Sequence, residues 1–239
     1  MKHDRNSVKA EYKELVGMFE TLTGSRNILQ VFNDSIECFA IALRNVFGQG
    51  TEYEKLEKRY REIMHQYTAD EHQQIVKIFA KITDMLEEQP FRDLLGDLYM
   101  QLNMGSSALG QFFTPYHLSL LLVECVFQKE LCKQEIKKKG YVTVHEPAIG
   151  GGANIIAFCE ILKENGFNYQ SQCIIQCQEL SRLPALMCYV ALSLLGCSAV
   201  IKIGDTLANP YTNYYDEIAK GSELWVTPMF HINNCYSKI

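Results

Sequence analysis

A carboxylate, a proline and three glycines lie together at residues 146–152, a combination that suits the binding of a nucleotide-like ligand. Residues 141–144 are β-formers and predict a buried strand, which the proline ends because it has no N–H for a strand ladder. Gly150, Gly151 and Gly152 let the backbone approach a ligand closely. Apolar residues at helical spacing follow, so polar ligand groups would face the N–H donors of a helix start. A glycine-rich turn without a ligand is the alternative.

Two more acidic residues follow the next two predicted strands. Residues 171–177 predict the second strand, and Glu179 follows it, about 30 residues after the glycines. Residues 199–203 predict the third strand, and Asp205 follows it in a Gly-Asp-Thr-Leu segment. An acidic residue just past the second strand of such a fold holds the hydroxyl pair of a ribose, so Glu179 is a candidate for that contact. An ordinary exposed glutamate at a strand end is the alternative.

Upstream, residues 110–116 read Gly-Gln-Phe-Phe-Thr-Pro-Tyr. Thr114 is expected to cap a helix whose first residue is Pro115, a position where the missing N–H of proline does no harm. The apolar face of that helix is predicted to consist of Leu118, Leu121, Leu122, Cys125 and Val126. Taken alone, the segment predicts a capped helix start with two packed aromatic side chains.

Together these segments resemble the adenine-N6 DNA methyltransferases of type I restriction–modification systems, over roughly residues 105–230. In that family, Gly-Gln-aromatic-aromatic-Thr-Pro precedes Asp-Pro-x-x-Gly-x-Gly, and here Glu146 replaces the usual aspartate. The resemblance implies an S-adenosylmethionine (SAM) cofactor. It also implies that the upstream segment closes over the methionine end of SAM and that Asp205 reads its adenine amino group. The implied cofactor-binding residues are Gln111, Phe112, Phe113, Thr114, Pro115, Glu146, Pro147, Ala148, Gly150, Gly151, Gly152, Glu179 and Asp205.

The catalytic segment of that family, Asn-Pro-Pro-aromatic, is altered in this sequence. After a fourth predicted strand at residues 223–227, the implied catalytic residues are Thr227, Pro228, Met229 and Phe230. In the family, the asparagine accepts a hydrogen bond from the target amine while the aromatic ring stacks on the flipped-out base. A threonine hydroxyl is shorter than an amide, so it cannot place an acceptor at the same point.

Three hypotheses follow from this substitution. The chain is an active adenine-N6 DNA methyltransferase subunit, or a SAM-binding, DNA-associated module with weak or no catalysis, or a scaffold that keeps only the fold and acts through a partner protein. The resemblance implies DNA as a partner, contacted through a separate specificity subunit. Cofactor binding distinguishes the third hypothesis from the others, and methyl transfer to adenine distinguishes the first from the second.

The predicted fold class is α/β, a parallel Rossmann-like methyltransferase sheet that stops after its fourth strand and follows an all-α N-terminal domain. Residues 1–104 show only helical periodicity, whereas residues 105–239 alternate strands with helices, which favours a parallel sheet. The resemblance implies the strand order 3-2-1-4. Two threonine–glutamate pairs with the spacing of a capping box predict helix starts; they are Thr51 with Glu54 and Thr68 with Glu71.

Composition argues against several other classes of protein. Nine cysteines, an odd number without a secretion signal or a C-x-x-C pair, predict reduced thiols and neither disulfides nor zinc. No apolar run approaches the ~20 residues of a membrane helix, and the N-terminus does not read as a signal peptide, so a cytoplasmic location is expected. The net charge of −5 gives no argument for DNA binding, so the isolated chain is predicted to bind DNA poorly. Homo- and hetero-oligomers both remain open.

Overall fold

A computed structural model describes residues 8–102 and 113–238. The chain divides into two compact units, Met1–Pro90 with Leu94–Phe113, and Phe91–Asp93 with Thr114–Ile239. The boundary predicted between residues 104 and 105 lies outside the described residues. None of the described helices is both long and apolar enough to cross a membrane.

The described residues of the first unit form helices joined by turns and include no strand, as the sequence predicts. Phe32 lies in its core, with its ring centroid 5.7 Å from that of Phe19 and 5.9 Å from that of Tyr99. A short 3-10 turn, Ala10–Tyr12, precedes the first α-helix. The helices are α1 Lys13–Glu20, α2 Ile28–Asn45, α3 Gly50–Met64, α4 Ala69–Glu88 and α5 Leu94–Leu102.

One of the two predicted capping boxes is present. At the start of α4, the Thr68 hydroxyl accepts from the Glu71 N–H at 3.3 Å, and the Glu71 carboxylate accepts from the Thr68 N–H at 2.7 Å. The box predicted at Thr51 is wrong, because α3 begins at Gly50 and Thr51 already lies inside its first turn. A capping residue must lie immediately before the first residue of the helix. Thr51 is the second residue of α3, so it cannot be the cap although its spacing to Glu54 is that of a capping box.

The second unit alternates helices and strands. Its helix α6 does not use the predicted threonine cap, because Pro115 itself takes the cap position and its carbonyl accepts from the N–H groups of Leu118 and Ser119. The elements in chain order are α6 Tyr116–Val126, α7 Lys129–Lys139, β1 Val142–Glu146, α8 Ala153–Glu164, α9 Tyr169–Gln172, β2 Cys173–Glu179, α10 Arg182–Leu194, β3 Ser198–Ile203, α11 Tyr214–Ala219, β4 Glu223–Val226 and α12 Pro228–Ile232. A 3-10 turn, Cys235–Lys238, follows.

The sheet has the order β1-β2-β3-β4. Strands β1, β2 and β3 are parallel neighbours, as predicted, but β4 pairs with β3 and runs antiparallel to it. The predicted order 3-2-1-4 is therefore wrong for the fourth strand. The buried Lys202 of β3 pairs with Glu217 of α11, so the connection between β3 and β4 contacts β3.

Both faces of the sheet are covered at β3 and β4. On one face, Tyr189 of α10 packs against Trp225 of β4, with 5.2 Å between ring centroids. The opposite face carries a buried apolar cluster: Ile174, Val200, Tyr211, Leu224, Val226, Phe230 and Cys235. This mixed α/β architecture, with three of four strands parallel, agrees with the predicted fold class.

Candidate functional site

The loops after β1, β2 and β3 meet at the carboxyl edge of the sheet. The Glu179 side chain accepts from the Gly150 N–H at 2.9 Å, and its backbone carbonyl accepts from the Gly204 N–H at 2.9 Å. The Thr206 hydroxyl donates to the Pro147 carbonyl at 2.6 Å. These bonds join three segments that are far apart in sequence, so the glycine turn, Glu179 and the Asp205 loop lie together at this edge; their role as a ligand site stays a prediction.

The glycine turn depends on backbone angles that side chains disfavour. Gly150 and Gly152 have φ angles of 56° and 107°. A Cβ on Gly152 would lie 3.4 Å from the Cys188 sulfur, an ordinary contact, so its backbone angle and not lack of space calls for glycine. The Gly152 carbonyl accepts from the N–H groups of Ile155 and Ile156 and so starts α8. The turn thereby directs a helix start toward the site.

Glu146, the last residue of β1, is held by two donors. Its carboxylate accepts from the Ala148 N–H and from the Asn154 side-chain amide, each at 3.3 Å. The Asn154 Oδ1 atom is buried and has no hydrogen-bond partner among the described residues. Sequence reasoning missed Asn154, although an amide side chain at the second position of a helix after three glycines was a readable signal.

Glu179 bridges two loops. One oxygen accepts from the Gly150 N–H and the other from the Ser181 N–H, both at 2.9 Å. A carboxylate offers about four acceptor positions, so two remain for other donors. The side chain is therefore oriented by the protein and still able to accept hydrogen bonds from a ligand.

Asp205 is oriented by its own loop. Its Oδ1 atom accepts from the Leu207 N–H at 2.8 Å and from the Ala208 N–H at 3.3 Å. The side chain is exposed, and its other oxygen makes no hydrogen bond within the described part of the chain. Leu207 beside it is 96% exposed, so an apolar surface and a carboxylate acceptor lie next to each other.

The segment predicted to be catalytic is not at this site. Thr227 is fully buried; its hydroxyl donates to the Cys197 carbonyl at 2.6 Å and accepts from the Ala199 N–H at 2.9 Å. Because β4 is antiparallel to β3, Thr227 lies at the amino end of β3, roughly 13 Å along the strand from its carboxyl end. Pro228 and Met229 open α12 there, and Phe230 lies in the apolar cluster. The structure therefore does not unite these four residues with the glycine turn.

The upstream segment is only partly described. Gln111 and Phe112 lie outside the described residues. The Phe113 ring packs edge-on against Tyr99 in the helical unit, with centroids 5.5 Å apart. Thr114 and Pro115 are exposed and lead into α6. The role implied for them over the methionine end of SAM stays a prediction.

The nine cysteines are free thiols, and eight of them are buried. Burial raises the pKa of Cys173 and Cys177 well above the ordinary value, which keeps these thiols protonated. Residues 8–102 and 113–238 include no group of three or more His, Cys, Asp or Glu that could hold a metal ion.

A parallel sheet with a glycine turn and acidic residues at successive strand ends is typical of nucleotide-binding α/β domains. This chain belongs to the N-6 DNA methylase family, whose model matches residues 91–229, more than half of the sequence. A search of curated proteins found no match.

Solved structures similar to this chain include the following two. One is a Listeria monocytogenes protein assigned to the class I S-adenosylmethionine-dependent methyltransferases, with a TM-score of 0.44 and 14% identity, covering 96% of this chain and 71% of the other. The second is a type I restriction–modification methyltransferase subunit from Streptococcus thermophilus, with a TM-score of 0.47 and 12% identity. It covers 88% of this chain, which spans 60% of that subunit.

Proposed function

We propose that this member of the N-6 DNA methylase family binds SAM at the carboxyl edge of its sheet. The observation that supports this most is the convergence of three carboxylates, Glu146, Glu179 and Asp205, each oriented by backbone N–H groups. Ionised carboxylates only accept hydrogen bonds. SAM presents donors at three separated points, namely its ammonium, its ribose hydroxyls and its adenine amine.

Each of the three carboxylates is assigned to one of these donors. Glu179 would hold the ribose hydroxyls, and Asp205 would accept from the adenine amine. Glu146 would face the ammonium group, and the buried Oδ1 atom of Asn154 beside it, which has no partner in the part of the chain that the structure describes, offers an acceptor for a further donor. Bound SAM would supply an electrophilic methyl group, and the role of these residues is to bind and orient it.

We also propose that the chain alone transfers methyl groups to adenine slowly or not at all. The Thr227 hydroxyl already bonds to Cys197 and Ala199 inside the protein, so it is not available to a target amine. A preorganised hydrogen-bond partner of this kind contributes about 10²–10³ in rate in other enzymes. The chain has a net charge of −5, which does not favour contact with the DNA backbone, so DNA would be bound through a partner specificity subunit.

Calorimetric titration of the purified chain with SAM and with S-adenosylhomocysteine tests the proposal. The informative variant is Asp205→Asn, because the retained oxygen can keep the turn bonds to Leu207 and Ala208 while the other becomes an N–H₂ donor. We expect about ten-fold weaker binding, since a donor would then face the adenine amine. Glu164→Ala, which removes an exposed acid at the end of α8, is the control and should bind normally.

No heat and no thermal shift at millimolar cofactor would refute SAM binding and favour the scaffold hypothesis. Normal affinity in Asp205→Asn would refute only the assignment of the adenine contact. Labelled-methyl transfer to mixed-sequence DNA tests the second proposal, and robust methylation by the unmodified chain would overturn it.

A further inference from the structure

The edge of β1 that faces away from β2 has no pairing strand among the described residues. A free strand edge presents backbone N–H and C=O groups that can pair with another strand. Four consecutive residues, Val142, Thr143, Val144 and His145, line a single groove of about 300 Å³. Side chains alternate between the two faces of a strand, so four in a row share a groove only where it follows the backbone edge. We name this feature the β1-edge groove.

The walls of the β1-edge groove are mainly apolar and are not covered. Phe127 and Phe158 form part of the lining, together with Val126 and Leu131, which are 70% and 51% exposed. From Val126 an exposed stripe continues along α6, consisting of Leu118, Leu121, Leu122 and Cys125. The sequence predicts this stripe as the apolar face of its helix, yet α6 packs on α8 through other residues, such as Val123. A contiguous apolar surface of this kind marks an interaction site.

The helix beside the groove is basic, although the chain as a whole is acidic. Helix α7 has five lysines and two glutamates, a net charge of +3, whereas the whole chain has −5. Lys139 and Glu135 of α7 line the groove and pair at 2.7 Å. Four further lysines on α7 are exposed: Lys129, Lys133, Lys137 and Lys138. This charge favours an acidic occupant, because complementary potentials steer and select partners.

We propose that the β1-edge groove binds an extended acidic and apolar segment of a partner protein, which adds to the sheet as a strand beside β1. Its backbone would pair with β1, its apolar side chains would enter the groove at alternate positions, and its carboxylates would face the lysines of α7. A second copy of this chain is a poorer occupant. A two-fold interface brings the same patch of both copies together, and here that patch contains the lysine-rich end of α7.

Fluorescence anisotropy with labelled peptides tests this proposal. The probes are a short peptide of alternating valine and glutamate, its valine–lysine counterpart, and a valine–glutamate peptide with N-methylated amides. We expect the acidic peptide to bind at least about ten-fold tighter than the basic one, and N-methylation to abolish binding because it removes the donors of strand pairing. Leu131→Glu, which places a carboxylate in the groove, should abolish binding of the acidic peptide.

The matched control is Ile218→Glu on α11, because Ile218 is 53% exposed and Leu131 is 51% exposed. Both variants should keep the far-ultraviolet circular dichroism of the parent, and only Leu131→Glu should lose the peptide. Absence of binding by the acidic peptide, equal affinity for acidic and basic peptides, or binding insensitive to Leu131→Glu or to N-methylation would each overturn the proposal. A dimer in sedimentation that Leu131→Glu dissociates would assign the groove to a second copy and overturn the proposed occupant.

Discussion

The buried ion pair between β3 and α11 provides the sharpest test of how this fold is held together. Lys202 is 1% exposed and Glu217 is fully buried, and their charged atoms lie 2.6 Å apart. Lys202 also donates to the Asn209 carbonyl at 2.9 Å, and Glu217 also accepts from Lys220 and Ser222. The pair therefore joins the sheet, α11 and the loop that carries Asp205, since the Asn209 N–H donates to the Asp205 carbonyl.

Removing either partner should destabilise this unit, but by different amounts. Breaking a buried pair costs about 3–5 kcal/mol because the other charge stays buried. Lys202→Met leaves Glu217 with the Lys220 and Ser222 bonds, so we expect a cost near the lower value. Among the described residues, Glu217→Leu leaves the Lys202 ammonium with only the carbonyl acceptors of Asn209 and Pro210, so we expect a cost near the upper value.

Urea unfolding followed by the fluorescence of Trp225, the only tryptophan and a buried residue of β4, reports on this unit. With a typical slope of about 2 kcal/mol per molar urea, a loss of about 3 kcal/mol lowers the midpoint by about 1.5 M. The control is Lys139→Met, which removes an equally close pair, 2.7 Å from Glu135, that is exposed to solvent. It should not measurably shift the midpoint, because solvent screens exposed pairs.

The double variant Lys202→Met/Glu217→Leu should be less destabilised than the sum of the single variants, with a coupling of about 1–3 kcal/mol. Equal shifts for Lys202→Met and Lys139→Met would refute the role given to burial. A larger loss in Lys202→Met than in Glu217→Leu would refute the role given to the remaining hydrogen bonds.

Three further outcomes are expected. Burial alone would raise the pKa of Glu217, but hydrogen bonds from Lys202, Ser222 and other donors lower it below its usual range. The contribution of Glu217 to the free energy of unfolding is therefore complete above the usual range of a glutamate pKa and is lost on acidification. Glu217→Gln should flatten the acid side of a stability–pH profile, and an unchanged profile would contradict this. Thr227→Asn should overpack a fully buried position by about 1–3 kcal/mol without raising labelled-methyl transfer, and a gain in methylation would count against the buried placement. Gly152→Ala should lower both melting temperature and SAM affinity in calorimetry, because φ is 107° there, and normal behaviour would show that the turn tolerates a side chain.

The sequence alone was sufficient to predict the local features of the site. The glycine turn and Asp205 follow apolar strands and Glu179 ends one, and parallel strands bring their carboxyl ends to one edge, so their meeting follows from local patterns and one topological rule. The capping box at Thr68 was readable for the same reason, since its donors and acceptors lie within one helical turn. Asn154 was readable as an amide in the first turn of α8, but its contact with Glu146 depends on the geometry of the turn between them.

Tertiary structure decided the position of β4, and with it the position of Thr227. The residues of β4 would suit either edge of the sheet, because three consecutive apolar residues, Leu224, Trp225 and Val226, indicate burial on both faces and do not specify the neighbouring strand. Contacts distant in sequence accompany the observed position beside β3, among them the buried pair between Lys202 and Glu217, and no local pattern in the sequence indicates them. The uncovered stripe of α6 has the same origin: helical spacing showed that Leu118, Leu121 and Leu122 share a face, but only packing determined that α8 contacts a different one.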